Sequence, residues 1–371
     1  MKKKIWMMLL CSALVCLPLG GCGINRADAD TGSVQSEAAS DHKTTKNSNA
    51  EYTSEVFAMD TYMTLTAYGE NAKEAVEAGI AEIQRLDALL STGDANSEVA
   101  QINQNGGGRL SEDTDYLVKR ALAIYQSTQG AFDISIYPVM QLWGFTTGDF
   151  AVPSKEDLAA KLALVNAGRI SLTEDNGVSS ITLPEGMEID LGGIAKGYTS
   201  GRVMEVMKRY GIESAVINLG GNAHVLGSKS DGSAWKVGIQ DPNDTNGYLG
   251  GVSVRDKAII TSGGYERYFV DEATGVKYHH IIDPKTGYSA NNGLISVTIV
   301  SADSTLADGL STSLFVLGTE DAIAYCEEHC AEDGFDAIME DEDGKLYITD
   351  GIMDDFINMN NTTNIQKIKT K

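Results

Sequence analysis

Apolar residues fall at helical spacing at Ala75, Val76, Ile80, Ile83, Leu86 and Leu90, which predicts an amphipathic helix over residues 72–90. Just before it, Met63, Leu65 and Ala67 alternate with their neighbours, so residues 62–68 read as a strand. A second helix follows Ser111, whose hydroxyl suits an N-cap, and runs to about residue 128 with Leu117, Ala121 and Ile124 on one stripe. Between the two helices, Asn105-Gly106-Gly107-Gly108 is a loop. Residues 170–183 read as a hairpin turning at Asn176-Gly177, because Asn-Gly supplies the positive φ angles of a tight turn. A helix is expected from about residue 194 to residue 210. Short apolar strands then alternate with Gly-, Asp- and Pro-containing turns from residue 215 to residue 300. Helices return over residues 304–317 and 320–330, and a last hairpin pivots on residues 341–344. The polar tail, residues 356–371, reads as loose. Helices and strands in this order, without regular βαβ alternation, predict an α+β fold with mixed and antiparallel sheets against packed helices.

Composition narrows the function. The 371-residue chain carries 29 Lys and Arg against 52 Asp and Glu, a formal charge of −23, with 42% hydrophobic residues. That is globular composition, and so negative a surface repels phosphate backbones, which excludes nucleic acid as an expected partner. Lys2, Lys3 and Lys4 precede an apolar run over residues 5–19, too short for a membrane span of about 20 residues but suited to a signal peptide. The run ends Leu19-Gly20-Gly21-Cys22, which resembles a bacterial lipobox; an ordinary signal peptide with an incidental cysteine is the other reading. Residues 1–21 are thus expected to be a removed leader and Cys22 a lipidated N-terminus at the extracytoplasmic face of the cell membrane. Residues 22–50 would form a polar tether without the apolar residues needed to fold, and residues 51–355 the functional domain. Cys11 and Cys16 leave with the leader. Cys326 and Cys330 lie one helical turn apart beside His329, but no second ligand pair stands at finger-like spacing, so they read as idle buried thiols.

Three apolar strand ends share one shape, closing on Gly192-Gly193, Gly220-Gly221 and Gly263-Gly264. Paired glycines let backbone N–H groups turn toward an anion and let a ligand approach the main chain, though turn geometry alone also selects them. The specific nucleotide motifs are missing: Lys196-Gly197 reverses the P-loop order, and no G-x-G-x-x-G follows a strand. In residues 304–317, Leu306, Leu310, Leu314 and Leu317 make an apolar stripe. Asp308 and Thr312, about 400° apart, project together from another face. A carboxylate with a hydroxyl is a fitting pair for Mg²⁺; a solvated polar face is the competing account. Tyr278-His279-His280-Ile281-Ile282-Asp283-Pro284-Lys285-Thr286-Gly287 sets two histidines before a Pro-initiated turn, where a histidine could serve as general base or only accompany the turn.

Taken together, Gly130-Ala131-Phe132-Asp133-Ile134-Ser135, Asp190-Leu191-Gly192-Gly193-Ile194-Ala195-Lys196-Gly197, the His280 to Gly287 segment and Ala307-Asp308-Gly309-Leu310-Ser311-Thr312 resemble, in order, the motifs of the FAD:protein FMN transferase (ApbE) family. The resemblance spans about residues 54–350 and implies two interlocked subdomains of an ApbE-like fold. It also implies an enzyme that uses Mg²⁺, takes FAD as a substrate and moves FMN onto a Ser or Thr hydroxyl of an acceptor flavoprotein, releasing AMP. Asp308, Thr312 and the backbone at Gly193 would hold the metal. Met59, Asn103, Ala131, Phe132, Asp133, Asp190, Lys196 and Ile281 would contact FAD, and His280 would be the base. The acceptor would be a membrane-associated electron-transfer protein met at the surface to which the lipid holds the enzyme. Two positions depart from the family pattern: Gly93 stands where an aromatic is usual, and Asp60 replaces a common glycine. A solute- or flavin-binding lipoprotein without turnover, or an FAD pyrophosphatase giving FMN and AMP, are the alternatives.

Overall fold

Strands such as Ala258–Gly263 and Leu294–Ser301 carry apolar residues at successive positions rather than at every second one, so both of their faces need cover. A computed structural model, which describes residues 50–371 except Thr245 and Asn361, shows how that cover is arranged. The expected leader, Cys22 and the tether up to residue 49 lie outside the described residues.

A nine-stranded sheet runs in the order Glu51–Ala58, Thr61–Tyr68, Ser214–Leu219, Asn222–Gly227, Ala258–Gly263, Leu294–Ser301, Phe335–Asp341, Leu346–Thr349 and Ile365–Ile368. Every neighbouring pair is antiparallel except the last, which is parallel. Helices Ala72–Leu90, Gly192–Arg209 and Ser304–Leu317 cover one face. A three-stranded sheet of Trp235–Gln240, Tyr248–Val254 and Phe356–Asn358 covers part of the other. Along Leu294–Ser301, Val297 and Ile299 join the helix-side core with Leu310 and Leu314, whereas Val300 joins Trp235, Val237 and Val252 on the small-sheet side. The expected α+β class is the one the chain adopts.

The periodic helices fall where the spacing puts them, at Ala72–Leu90 and Ser304–Leu317. Ser111 caps Glu112–Ser127 by accepting the Thr114 N–H. Residues 171–175 and 178–182 form the Asn-Gly hairpin. The C-terminal tail differs from expectation. Phe356–Asn358 pairs with Tyr248–Val254, and Ile365–Ile368 adds the ninth strand beside Leu346–Thr349. Ile368 is buried, so the tail is held by backbone pairing and one apolar anchor rather than by a pattern that polar composition would reveal.

A separate aromatic cluster of Val139, Trp143, Phe145, Leu158 and Ile282, with Phe269, Tyr278 and Tyr288 against it, fixes the two-stranded hairpin Tyr268–Val270 and Lys277–His279. Trp143 Nε1 donates to Gly287 O at 2.8 Å, which ties the turn after the histidines to the same cluster.

Candidate active site

Helices Gly192–Arg209 and Ser304–Leu317 touch at Gly197, where a Cβ would stand 2.2 Å from Ser304 O and 2.5 Å from Asp308 Cβ. Only glycine permits that approach. It brings Gly197 N–H to Asp308 Oδ2 at 2.8 Å, while Asn222 Nδ2 donates to Oδ1 at 3.0 Å. Asp308 is 4% exposed and Thr312 half-buried, so the competing account of a solvated helix face does not hold. Ser262 Oγ, from the end of Ala258–Gly263, lies 2.8 Å from Ser311 Oγ and 3.4 Å from Thr312 Oγ1.

Among the described residues Asp308 has no ion-pair partner within 4 Å. Burial, the largest influence, raises its carboxyl, and Lys196 and the donated hydrogen bonds oppose that rise. Lys196, half-buried on the same helix turn as Gly197, also acts on Asp190, Glu266 and His280, which places one cation in electrostatic reach of all four. The Glu266 carboxylate lies beside Gly221, where a Cβ would stand 3.6 Å from Oε1. Loss of solvation is the largest influence on its carboxyl and raises it, with Asp308 adding to the shift and Lys196 opposing it.

The two histidines separate by their hydrogen bonds. His279 Nε2 faces Ala290 O at 2.9 Å and its Nδ1 accepts the Ile281 N–H at 3.3 Å, so both ring nitrogens are committed to backbone. His280 Nδ1 faces Arg267 O at 3.2 Å. A carbonyl can only accept, so Nδ1 carries the proton and Nε2 holds a lone pair with no partner among the described residues. Burial first, then Arg267, Lys196 and His279, lowers the imidazole to about 3, which keeps the ring neutral. The Asp283 carboxylate closes the following turn by accepting from Lys285 N and Thr286 Oγ1.

Other expected contacts take positioning places. Asn103 donates to Ile189 O at 2.8 Å and accepts the Ile189 N–H at 2.7 Å, so its whole amide holds the segment that leads into Asp190. Asp190 Oδ1 accepts Gly192 N–H at 2.7 Å at the helix start. Asp133 is buried and caps the turn at Ile134–Ile136 through Ser135 N, its other oxygen taking Ala167 N–H at 3.1 Å. Ala131, Phe132 and Ile281 are core residues, and the Phe132 ring lies under Gly193, where a Cβ would meet Cε2 at 3.0 Å. Met59 and Asp60 have φ of 48° and 59° in the two-residue turn between the first strands, and Met59 N–H donates to Asp87 Oδ1 at 3.1 Å. The departure at Asp60 is thereby explained, since the turn needs left-handed backbone that glycine adopts at least cost and Asp tolerates.

The glycine pairs serve internal packing more than ligand approach: Gly263 makes room for the Tyr265 ring, Gly264 for His279 and Gly220 for Thr61. Cys326 and Cys330 are buried free thiols, as expected. Among the described residues no three His, Cys, Asp or Glu side chains group as a metal cage, and no helix is long and apolar enough to cross a membrane. Sequence reasoning missed Asn222, Ser262, Glu266 and Arg267. Asn222 and Ser262 stand directly beside glycine pairs, a signal that was available.

The model of the ApbE family matches residues 59–339. A FAD:protein FMN transferase of Treponema pallidum (strain Nichols) is 32% identical over 324 residues, covering 82% of this chain and 88% of that protein. One of Klebsiella pneumoniae (strain 342) is 37% identical over 246 residues, 65% of this chain and 75% of its own. The crystal structure of the ApbE protein from Thermotoga maritima superposes with a TM-score of 0.75 at 32% identity, covering 81% of this chain and 98% of that one.

Proposed function

The chain belongs to the ApbE family, and on that premise we propose that it is a flavin transferase that moves FMN from FAD to a Ser or Thr hydroxyl of an acceptor protein, releasing AMP. The observation that carries the reading is that Lys196 acts on both the buried Asp308 carboxylate, which has no ion-pair partner among the described residues, and His280, whose Nε2 has no partner among them.

The acceptor hydroxyl oxygen attacks the phosphorus of the FMN half, and its proton passes to His280 Nε2. The bond from that phosphorus to the bridging oxygen breaks, and the oxygen leaves with its electron pair on AMP. Lys196 binds the phosphate oxygens and offsets their charge. Asp190, set by Asn103 and by Gly192 N–H, orients the nucleotide. Met59 meets the flavin nucleotide from its strained turn, and Ala131, Phe132 and Asp133 shape the adenine or ribose end.

The donor set fits Mg²⁺. The buried Asp308 carboxylate, the Thr312 hydroxyl one helical turn on and, as the resemblance implies, the Gly193 carbonyl would be hard oxygen donors, and a site with one carboxylate leaves places for water and substrate phosphate. When bound, Mg²⁺ supplies positive charge to the pyrophosphate oxygens as the bridge breaks. Lipidation at Cys22 would hold the enzyme at the extracytoplasmic membrane face, where membrane-associated electron-transfer flavoproteins are the acceptors its position favours.

The test is AMP release from FAD by the full-length protein with Mg²⁺ or EDTA, wild type against Asp308→Ala, with and without a Ser- or Thr-bearing acceptor. Mg²⁺-dependent AMP that Asp308→Ala abolishes, together with an acceptor band that fluoresces in a denaturing gel, is the expected result. AMP without labelled acceptor would leave a pyrophosphatase, and no AMP from any flavin would leave a binding protein.

A further inference from the structure

Ser200 and His224 form a buried pair that the proposed chemistry does not use. Ser200 is 1% and His224 7% exposed, and Ser200 Oγ lies 3.1 Å from His224 Nδ1. Ser200 Oγ also lies 2.9 Å from Gly197 O, three residues back on its own helix. A carbonyl only accepts, so the single hydroxyl proton of Ser200 goes to Gly197. Its oxygen must then accept from His224, which carries its proton on Nδ1. A serine with its proton directed at a carbonyl and its lone pair occupied is not a nucleophile.

The Gly197 residue is therefore held on both sides. Its carbonyl receives two hydroxyls, Ser200 at 2.9 Å and Ser304 at 2.7 Å, and its N–H donates to Asp308 Oδ2 at 2.8 Å. That carbonyl belongs to the peptide bond with Tyr198 and the N–H to the one with Lys196, so the two hydroxyls act on the Asp308 bond by fixing the position of the Gly197 backbone between them. His224 stands two residues from Asn222 on strand Asn222–Gly227, so both side chains project from one face of the sheet toward the same two helices. Asn222 fixes the other Asp308 oxygen. One strand thus orients Asp308 twice, directly through Asn222 and indirectly through His224, Ser200 and the placement of the Gly197 backbone.

We propose that His224 is a positioning residue that sets the Asp308 carboxylate for a divalent cation through Ser200 and the placement of the Gly197 backbone. This rests on the reading of Asp308 as a metal ligand given above. Partners that orient a ligand commonly change metal affinity by about 10–100-fold when removed.

The experiment is Mn²⁺ binding to the full-length protein followed by electron paramagnetic resonance, with no flavin present. Wild type is compared with His224→Leu, which removes the donor, with His224→Asn, whose amide N–H can replace Nδ1–H, and with Ser200→Ala. The expected result is Mn²⁺ affinity about 10-fold weaker in His224→Leu and Ser200→Ala, no further loss when the two are combined, and recovery to within about 3-fold in His224→Asn. Should His224→Leu not fold, Ser200→Ala, a loss of one oxygen, gives the same comparison. Equal affinity in wild type and the folded donor-deleting variants would overturn the positioning claim alone, as would an affinity in His224→Asn no better than in His224→Leu. Mn²⁺ binding that is absent from wild type, or unchanged by Asp308→Ala, would overturn the metal reading and the positioning claim with it.

Discussion

Gly197→Ala puts the packing argument at greatest risk. The new methyl would meet Ser304 O at 2.2 Å and Asp308 Cβ at 2.5 Å, a backbone atom and a side-chain stem that cannot swing aside. Relief means moving the two helices apart by roughly 1 Å to reach ordinary contact distance. Overpacking of this kind costs about 1–3 kcal/mol. Stretching the Gly197 N–H bond to a charged acceptor adds about 1.5–3 kcal/mol, and alanine's better helix propensity returns about 1 kcal/mol. The net is a loss of roughly 2–5 kcal/mol, a large part of a stability of about 5–15 kcal/mol. Gly201→Ala, one turn away, is the control. Its methyl would meet only Ser304 Oγ, at 2.9 Å, the end of a rotatable side chain. The hydroxyl bond it disturbs is worth about 1 kcal/mol, which the propensity gain offsets, so the net is near zero. Urea unfolding followed by fluorescence of the buried Trp143 and Trp235 measures both. Equal midpoints for the two variants at equal slope would refute the claim that Gly197 sets the helix crossing.

Asp60→Gly relieves a left-handed residue at φ 59° and is expected to raise stability by about 0.5–1 kcal/mol in the same assay, with AMP release retained. Glu340 is 4% exposed, and burial, with Asp241 and Asp341 adding, pushes its carboxyl up to about 7. Because the folded state holds this proton more tightly than the unfolded chain, the contribution is full below about pH 4.5 and is lost as pH rises through 7. Glu340→Gln should therefore unfold at higher temperature than wild type at pH 8, by up to roughly 3 kcal/mol, and match it at pH 4. Asn103→Ala leaves the buried Ile189 N–H and C=O without partners, so it should cost about 2–5 kcal/mol and raise the FAD KM of AMP release more than it lowers kcat.

How much was legible follows the length over which each signal acts. Ala72–Leu90 and Ser304–Leu317 repeat their apolar spacing over about four to five turns and were readable to the residue, whereas Glu98–Asn105, Tyr137–Trp143 and Lys155–Leu162 offer only about two turns and were passed over. The first strand, Glu51–Ala58, and the last, Ile365–Ile368, lie at sheet edges, where one covered face and backbone pairing suffice, and neither stood out. In the site, Asp308 was legible because it is the single charged residue of Ser304–Leu317 and stands four residues before Thr312, away from the leucine stripe. Asn222, Ser262 and Arg267 contradict nothing locally. Their importance comes from strand pairing and helix packing that join residues 86 apart in the Asp308–Asn222 bond and 50 apart between Ser262 and Thr312. Asn103 and Asp133 show the same dependence from the other side. The family resemblance implies FAD contacts for both, and the fold adds what the resemblance does not give: their side chains hydrogen-bond backbone, at Ile189 and at the turn after Asp133. A motif records which residues a site requires, while the hydrogen-bond partners decide whether a residue acts on the ligand or on the scaffold that presents it.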